Sequence, residues 1–217
     1  VAAYARVALI SLALQHHPSR THLLYRTSHL DPEVVVDPKL DSHPSPWRTY
    51  REALERTPAC SHRVILQDDA EPCDGFLEAL TLCLAARPDS LVCLFVPTTH
   101  PTGSRAVLEA CGRGSGWAAL PWGTFVPVVG LAWPHALVTP FLQWADEKGF
   151  KDIPRHRSDD AIVGLFAKAM NLQAWATVPS LVEHPDDDPS LIGLKTRVPR
   201  RAACFAGANA HLVDWTV

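Results

Sequence analysis

Apolar and polar positions along this chain alternate between two periods. Residues 4–14 form a nearly continuous apolar run, as expected of a strand covered on both faces. Shorter apolar runs occur at Val34-Val35-Val36, at Val64-Ile65-Leu66, and over residues 91–96 and 174–178, and residues 125–133 are also strand-like. Segments of helical spacing lie between them. Pro18 opens a helix predicted to reach about Ser28. Ser45-Pro46 predicts another start, a cap followed by proline at the first helical position, with Trp47, Tyr50 and Leu54 along one face. Asp74 is placed to cap a third helix, in which Phe76, Leu80, Cys83 and Leu84 fall at helical spacing. Thr139-Pro140 predicts the start of a helix stopping near Gly149, and Ser158 the start of one carrying Ile162, Val163, Leu165 and Phe166. Residues 98–120, with Gly103, Gly112, Gly114 and Gly116, predict a flexible connection.

Alternation of strand and helix over roughly the first 100 residues predicts an α/β domain. Its central sheet is expected to be mixed but mostly parallel and flanked by helices, in one domain over residues 1–217. Ligands of such sheets bind beyond the carboxyl ends of the strands. Asp37 and Asp68-Asp69 follow two of the apolar runs, so they are expected on one rim.

Composition narrows the classes. The chain has 217 residues, is 47% hydrophobic and holds 7 Trp and 7 Phe, enough for a core and too much for disorder. A formal net charge of −3 excludes a strongly basic nucleic-acid binder but leaves room for a local patch at Lys195, Arg197, Arg200 and Arg201. The six cysteines contain no CxxC pair, which excludes a finger-type zinc site, and their spacing does not form a disulfide framework. They read as buried free thiols in a reducing cytoplasm. No apolar run reaches the ~18 residues that would span a bilayer, so no membrane partner is expected, and residues 7–14 read as a strand rather than a signal segment.

Three groups could carry chemistry. Asp68 and Asp69, after Gln67 at the end of a buried strand, are costly unless something pairs with them; a divalent cation carrying a substrate phosphate is one solution, and a solvated turn is the other. Ser158-Asp159-Asp160 is either a simple helix cap or a general base held ionised by the helix dipole. His184, after the run from Pro179, is either a loop residue or a ligand completing a site begun by Asp69. Trp117, Trp122 and Trp133 fit either a stacking wall for an acceptor or the core.

Together these motifs resemble the small nucleotide-sugar glycosyltransferases of the GT-A type. Gln67-Asp68-Asp69 looks like the DxD-type motif of that family with an acid at the third place, and Ser158-Asp159-Asp160 and the stretch from Pro179 to Ser190-Leu191-Ile192-Gly193 look like its later motifs. The order His17-Pro18-Ser19-Arg20, Val35 to Asp37, then Trp47 and Arg51, is similar to short glycosyltransferase-like proteins of actinobacteria and their phages. The resemblance covers most of residues 5–195 and departs at Gln67, which stands where the family has an acid. It implies a nucleotide-binding half over residues 1–100, an acceptor or catalytic half over 117–195 and a tail over 196–217. It implies transfer of a sugar from a nucleotide-diphosphate sugar, most readily UDP-linked, to an acceptor hydroxyl. Arg20, Asp37, Trp47 and Arg51 would lie near the nucleotide, and Asp68 near the ribose or metal. Asp69 and His184 would hold Mn or Mg, and Asp159 or, preferably, Asp160 would activate the acceptor in an inverting displacement. DNA bearing hydroxymethylated bases is the acceptor that the phage likeness implies. Two alternatives stand beside this reading: a degenerate domain that binds a sugar nucleotide or partner without turnover, and a metal-dependent phosphoesterase or nucleotidyltransferase.

Overall fold

The computed structural model describes residues 9–39, 45–121, 126–151, 159–185 and 199–216. The expected features at residues 4–8, Trp122, Ser158, residues 190–193, Lys195 and Arg197 lie outside them. The strands in chain order are β1 (Ile10–His16), β2 (Glu33–Val36), β3 (His62–Gln67), β4 (Glu71–Pro72), β5 (Leu91–Cys93), β6 (Trp117–Ala119), β7 (Gly130–Pro134), β8 (Ala174–Thr177) and β9 (Val182–Glu183). The α-helices are α1 (Pro46–Glu55), α2 (Phe76–Ala86), α3 (Pro101–Gly112), α4 (His135–Glu147) and α5 (Asp159–Ala169).

The fold is α/β, as the pattern predicts. Seven strands form one sheet in the order β2-β1-β3-β7-β5-β8-β6, and β4 pairs with β9 in a second sheet of two. β1 is parallel to both β2 and β3, and β5 is parallel to β8. β7 is antiparallel to both β3 and β5, which makes β3 and β5 run the same way, and β6 is the second reversed strand. Five strands therefore end on one rim, at His16, Val36, Gln67, Cys93 and Thr177.

Period-two alternation splits the core between the two faces. Ala13, Ile65, Leu131 and Trp133 point to one face, where they meet Trp47, Tyr50, Phe141 and Phe166 of α1, α4 and α5. Leu14, Val64, Leu66 and Ala132 point to the other, against Phe76, Leu80, Cys83 and Leu84 of α2. Ring centroids on the first face stand 4.6 Å apart for Trp133 and Phe141 and 5.0 Å apart for Phe141 and Phe166. The Trp133 indole N–H donates to the Tyr50 hydroxyl at 2.7 Å in this buried layer. Tyr50→Phe leaves that donor buried without an acceptor, so chemical denaturation is expected to show a loss of about 1–3 kcal/mol; an unchanged midpoint would mean that water reaches the indole.

Several local expectations change. Residues 98–120 hold α3 and β6 rather than a flexible connection. The glycines there hide a helix start that His100 supplies: its imidazole accepts the Gly103 N–H at 3.0 Å, and Pro101 takes the first turn. Gly103 is required because a Cβ would collide with that imidazole. Asp74 does not cap α2; Gly75 stands at the cap in the left-handed region, φ 67°. α4 begins at His135, directly out of β7, and carries Pro140 inside it, so that proline is not a start signal. The segment from Pro18 is a 3-10 helix to Arg26, broken at Arg20 (φ −110°, ψ 22°). Ser45 does cap α1, accepting the Arg48 N–H at 3.2 Å. Trp117 and Trp133 are core residues, 4% and 0% exposed. Only Cys73, Cys83 and Cys93 are buried; Cys60 and Cys204 are half-buried and Cys111 is exposed, all as thiols. No helix among the described residues is long and apolar enough to cross a membrane.

Candidate active site

Parallel pairing of β1 with β3 sets Gln15 opposite Gln67, so the residues after that pair emerge side by side. These are His16 and His17 from β1 and Asp68 and Asp69 from β3. The His17 N–H donates to Asp68 Oδ2 at 2.8 Å, and His16 Nδ1 lies 3.4 Å from the same oxygen. The break at Arg20 accompanies the inward course of its side chain. The guanidinium donates through one nitrogen to Asp68 Oδ1 at 3.0 Å and Asp69 Oδ2 at 2.8 Å. Both carboxylates are buried, so the pair is tolerable only with such partners.

The small second sheet delivers the next group. Glu71 pairs with Glu183 and Pro72 with Val182, which carries His184 back beside Asp69. His184 Nε2 lies 3.1 Å from Asp69 Oδ2, and the Arg200 guanidinium lies 2.8 Å from the same ring nitrogen. Arg200 arrives on the C-terminal segment, whose Ala202 N–H donates to Glu183 Oε1 at 2.7 Å. Burial pushes the Asp69 carboxyl up, but the hydrogen bond and charge of His184, and then of Arg20, outweigh it and hold the group well below the usual carboxylate range. Its second oxygen, Oδ1, is buried with no hydrogen-bond partner among the described residues.

Asp159 and Asp160 start α5 on the same rim. The Gln67 amide stands 3.5 Å from Asp159 Oδ2, the Asp160 N–H donates to Asp159 Oδ1 at 3.1 Å, and the Val128 N–H donates to Asp160 Oδ1 at 2.9 Å. The helix dipole does not lower this pair, contrary to the expectation; both carboxyls are raised. Burial raises Asp159 to about 6 against the backbone N–H groups and the Gln15 and Gln67 amides. Burial, and then the charge of Asp159, raise Asp160 well above the ordinary range, with the Val128 N–H and Arg200 opposing. The two carboxyls interact and titrate as a unit.

Arg20, Asp68, Asp69 and His184 thus converge, and Asp159-Asp160 joins them through Gln67. The other three expected residues do not join the cluster. Asp37 ends β2, but both its oxygens accept from the Arg48 guanidinium at 2.6 Å, and it also accepts the Lys39 and Ser45 N–H groups. Trp47 is 2% exposed, edge-on to Phe141, with its indole N–H on the Phe150 carbonyl at 2.6 Å, so its place is the core. Arg51 clamps α1 to α4 through Asp146 and pairs with Glu55, so both its faces are engaged away from the rim.

Gln15, His16 and Arg200 belong to the cluster and were not among the expected site residues. Gln15 had a readable signal, a polar residue closing an apolar strand. Arg200 was readable only as part of a basic patch, because the tertiary course of the C-terminal segment is what brings it to His184. A divalent ion would have Asp69 as a donor here, and His184 as a second once its Nε2 is released from Asp69 and Arg200. Among the described residues no group of three or more His, Cys, Asp and Glu side chains is arranged to hold a metal. Ions of the Mg type are held by one or two carboxylates together with substrate phosphates, and Asp69 supplies one such carboxylate. A scan against protein-family models finds no match to this chain, and a search of curated proteins finds no relative.

Proposed function

We propose that this chain is a GT-A-type glycosyltransferase that moves a sugar from a nucleotide-diphosphate sugar to an acceptor hydroxyl. The observation that carries the reading is the buried Asp69 carboxylate: one oxygen is shared by Arg20 and His184, and the other has no donor among the described residues. A buried acceptor left so is costly until a ligand meets it. Asp69 and His184 would hold Mn or Mg. Such an ion, when bound, neutralises charge on the departing diphosphate. Arg20 and Arg200 flank that position and orient phosphate oxygens through fixed N–H donors. Asp68, fixed by His16, His17 and Arg20, holds that frame at the ribose side. The Asp159-Asp160 pair takes the acceptor proton on its ionised oxygen in an inverting displacement, and Gln67 links the pair to the donor side. Gln67 in place of an acid leaves one anionic ligand fewer, so the substrate phosphates complete the coordination. The free thiols support work in a cytoplasm, and Arg200 with Arg201 supports a polyanionic acceptor such as DNA bearing hydroxymethylated bases.

A second reading, binding without turnover, is favoured by the contact of Arg20 with both carboxylates, which neutralises part of the charge a metal would use. A thermal-shift panel of UDP-, GDP-, ADP- and CMP-linked sugars with and without Mn or Mg tests the proposal. A bound donor at 100 times its Kd is expected to stabilise by about 2.7 kcal/mol, and more with metal than without. Release of the nucleotide diphosphate on adding hydroxymethylated DNA would mark turnover. A shift without release from any acceptor tried favours the binding reading, and no shift with any donor removes the transferase.

A further inference from the structure

We propose that Cys111 and Cys204 form a reversible disulfide that fastens the C-terminal segment across the candidate active site. The two Sγ atoms lie 3.1 Å apart although 93 residues separate them in sequence. A small side-chain rotation brings them to the bonding distance of about 2.05 Å. Cys111 lies in the last turn of α3 and is exposed, and Cys204 is half-buried, so a small reagent reaches the pair. Cys73, Cys83 and Cys93 are buried, away from such a reagent.

Residues 199–206 form a strap. The Thr98 N–H donates to the Arg201 carbonyl at 2.8 Å and the Ala203 N–H to the Val96 carbonyl at 2.9 Å, on one side. On the other side the Ser180 N–H donates to the Cys204 carbonyl at 2.7 Å and the Ala206 N–H to the Ser180 carbonyl at 3.0 Å. These are isolated bridges rather than a ladder, at Pro97 with Ala202 and at Ser180 with Phe205. The same strap places Arg200 on His184 and Ala202 on Glu183. A covalent link at Cys204 therefore adds to the hydrogen bonds and apolar packing that hold this segment, and fixes with it the guanidinium beside the imidazole.

The co-reactant is a low-molecular-weight disulfide. The Cys111 thiolate attacks one of its sulfurs, forming a mixed disulfide and releasing one small thiol. The Cys204 thiolate then attacks the Cys111 sulfur of that adduct and expels the second small thiol. The two protein thiols lose two hydrogens and two electrons, and the small disulfide gains them as two thiols. A reducing dithiol reverses the exchange.

The test equilibrates the full chain with oxidised glutathione and compares it with chain kept in dithiothreitol. The expected product has a mass lower by about 2 Da, a Cys111–Cys204 linked peptide, a Tm higher by roughly 5–10 °C, and amide exchange over residues 199–206 slowed at least about tenfold. Cys111→Ser and Cys204→Ser should each abolish all four changes. Stable glutathione adducts without the link, or a link between other cysteines, would overturn the proposal. So would a Cys111–Cys204 link that leaves the exchange of the strap unchanged. Mass and exchange are read without substrate, so they stand apart from the fate of the transferase reading.

Discussion

Asp69→Asn is expected to fold and to lose sugar transfer by at least roughly a thousandfold, which corresponds to several kcal/mol of stabilisation withdrawn from the developing diphosphate charge. The substitution keeps the shape of the side chain and one acceptor for Arg20 and removes the charge. Donor-induced stabilisation in the thermal-shift panel should then lose its metal-dependent part. Asp69→Ala is the harsher variant, because it leaves Arg20 and His184 buried around an empty place, and breaking such a pair costs about 3–5 kcal/mol. The sign of the pH dependence follows from the depressed carboxyl. In the unfolded chain Asp69 titrates near its ordinary value of 3.8, and in the folded chain well below it. Its contribution is fully present above that ordinary value and is lost as pH falls towards the folded one. Acid titration should therefore show wild type losing stability below about pH 4 more steeply than Asp69→Asn. A variant that retains full turnover and full metal response would remove Asp69 from the site.

The Asp159-Asp160 pair predicts the opposite effect on stability. Asp159→Asn should make the protein more stable at pH 7.5 by about 2–3 kcal/mol, seen as a Tm rise of roughly 5–10 °C, while transfer falls by at least about a hundredfold. A carboxyl raised from 3.8 to about 6 binds its proton more tightly folded than unfolded. It costs nothing below pH 3.8, destabilises progressively between the two values, and carries its full cost above the higher one. The gain of the variant over wild type should shrink to near zero at pH 4 and reach a plateau above pH 6. Asparagine keeps the oxygen that accepts the Asp160 N–H and relieves the repulsion that raises Asp160. Equal melting temperatures for the two proteins at pH 4 and pH 7.5 would mean that burial does not raise Asp159. Lower activity with higher stability is the signature of a site that retains unfavourable charge for its chemistry.

Much of this was legible along the chain, because buried parallel strands write themselves as apolar runs and their ends as a change to polar residues. Val64-Ile65-Leu66 followed by Gln67-Asp68-Asp69 gave strand, rim and acids in six residues. Ser45-Pro46 gave the start of α1, because capping is local. Two of the misplacements share one cause. Trp47 and Arg51 were assigned by their order in the sequence, whereas Phe141, Phe150 and Asp146, which engage them, lie about 90 or more residues later. The state of Asp159 also escaped, because the helix dipole is a local influence and burial beside Gln15 and Gln67 is not. α3 was hidden by glycines because a histidine cap is a weak sequence signal.

The reversal of β7 also bears on how the chain is made. β3 has β1 on one side, supplied before it, but its other ladder partner is β7, which begins about sixty residues further on. At ribosomal speeds of roughly 5–20 residues per second, that side of β3 stays unpaired for several seconds. During that interval the row Val64-Ile65-Leu66 offers open backbone groups and bare aliphatic side chains to other nascent chains, the usual start of aggregation. Expression yield should therefore depend on cooling and on chaperone supply, and a chain that stalls before residue 130 should be insoluble even though both elements beside β1 are already made.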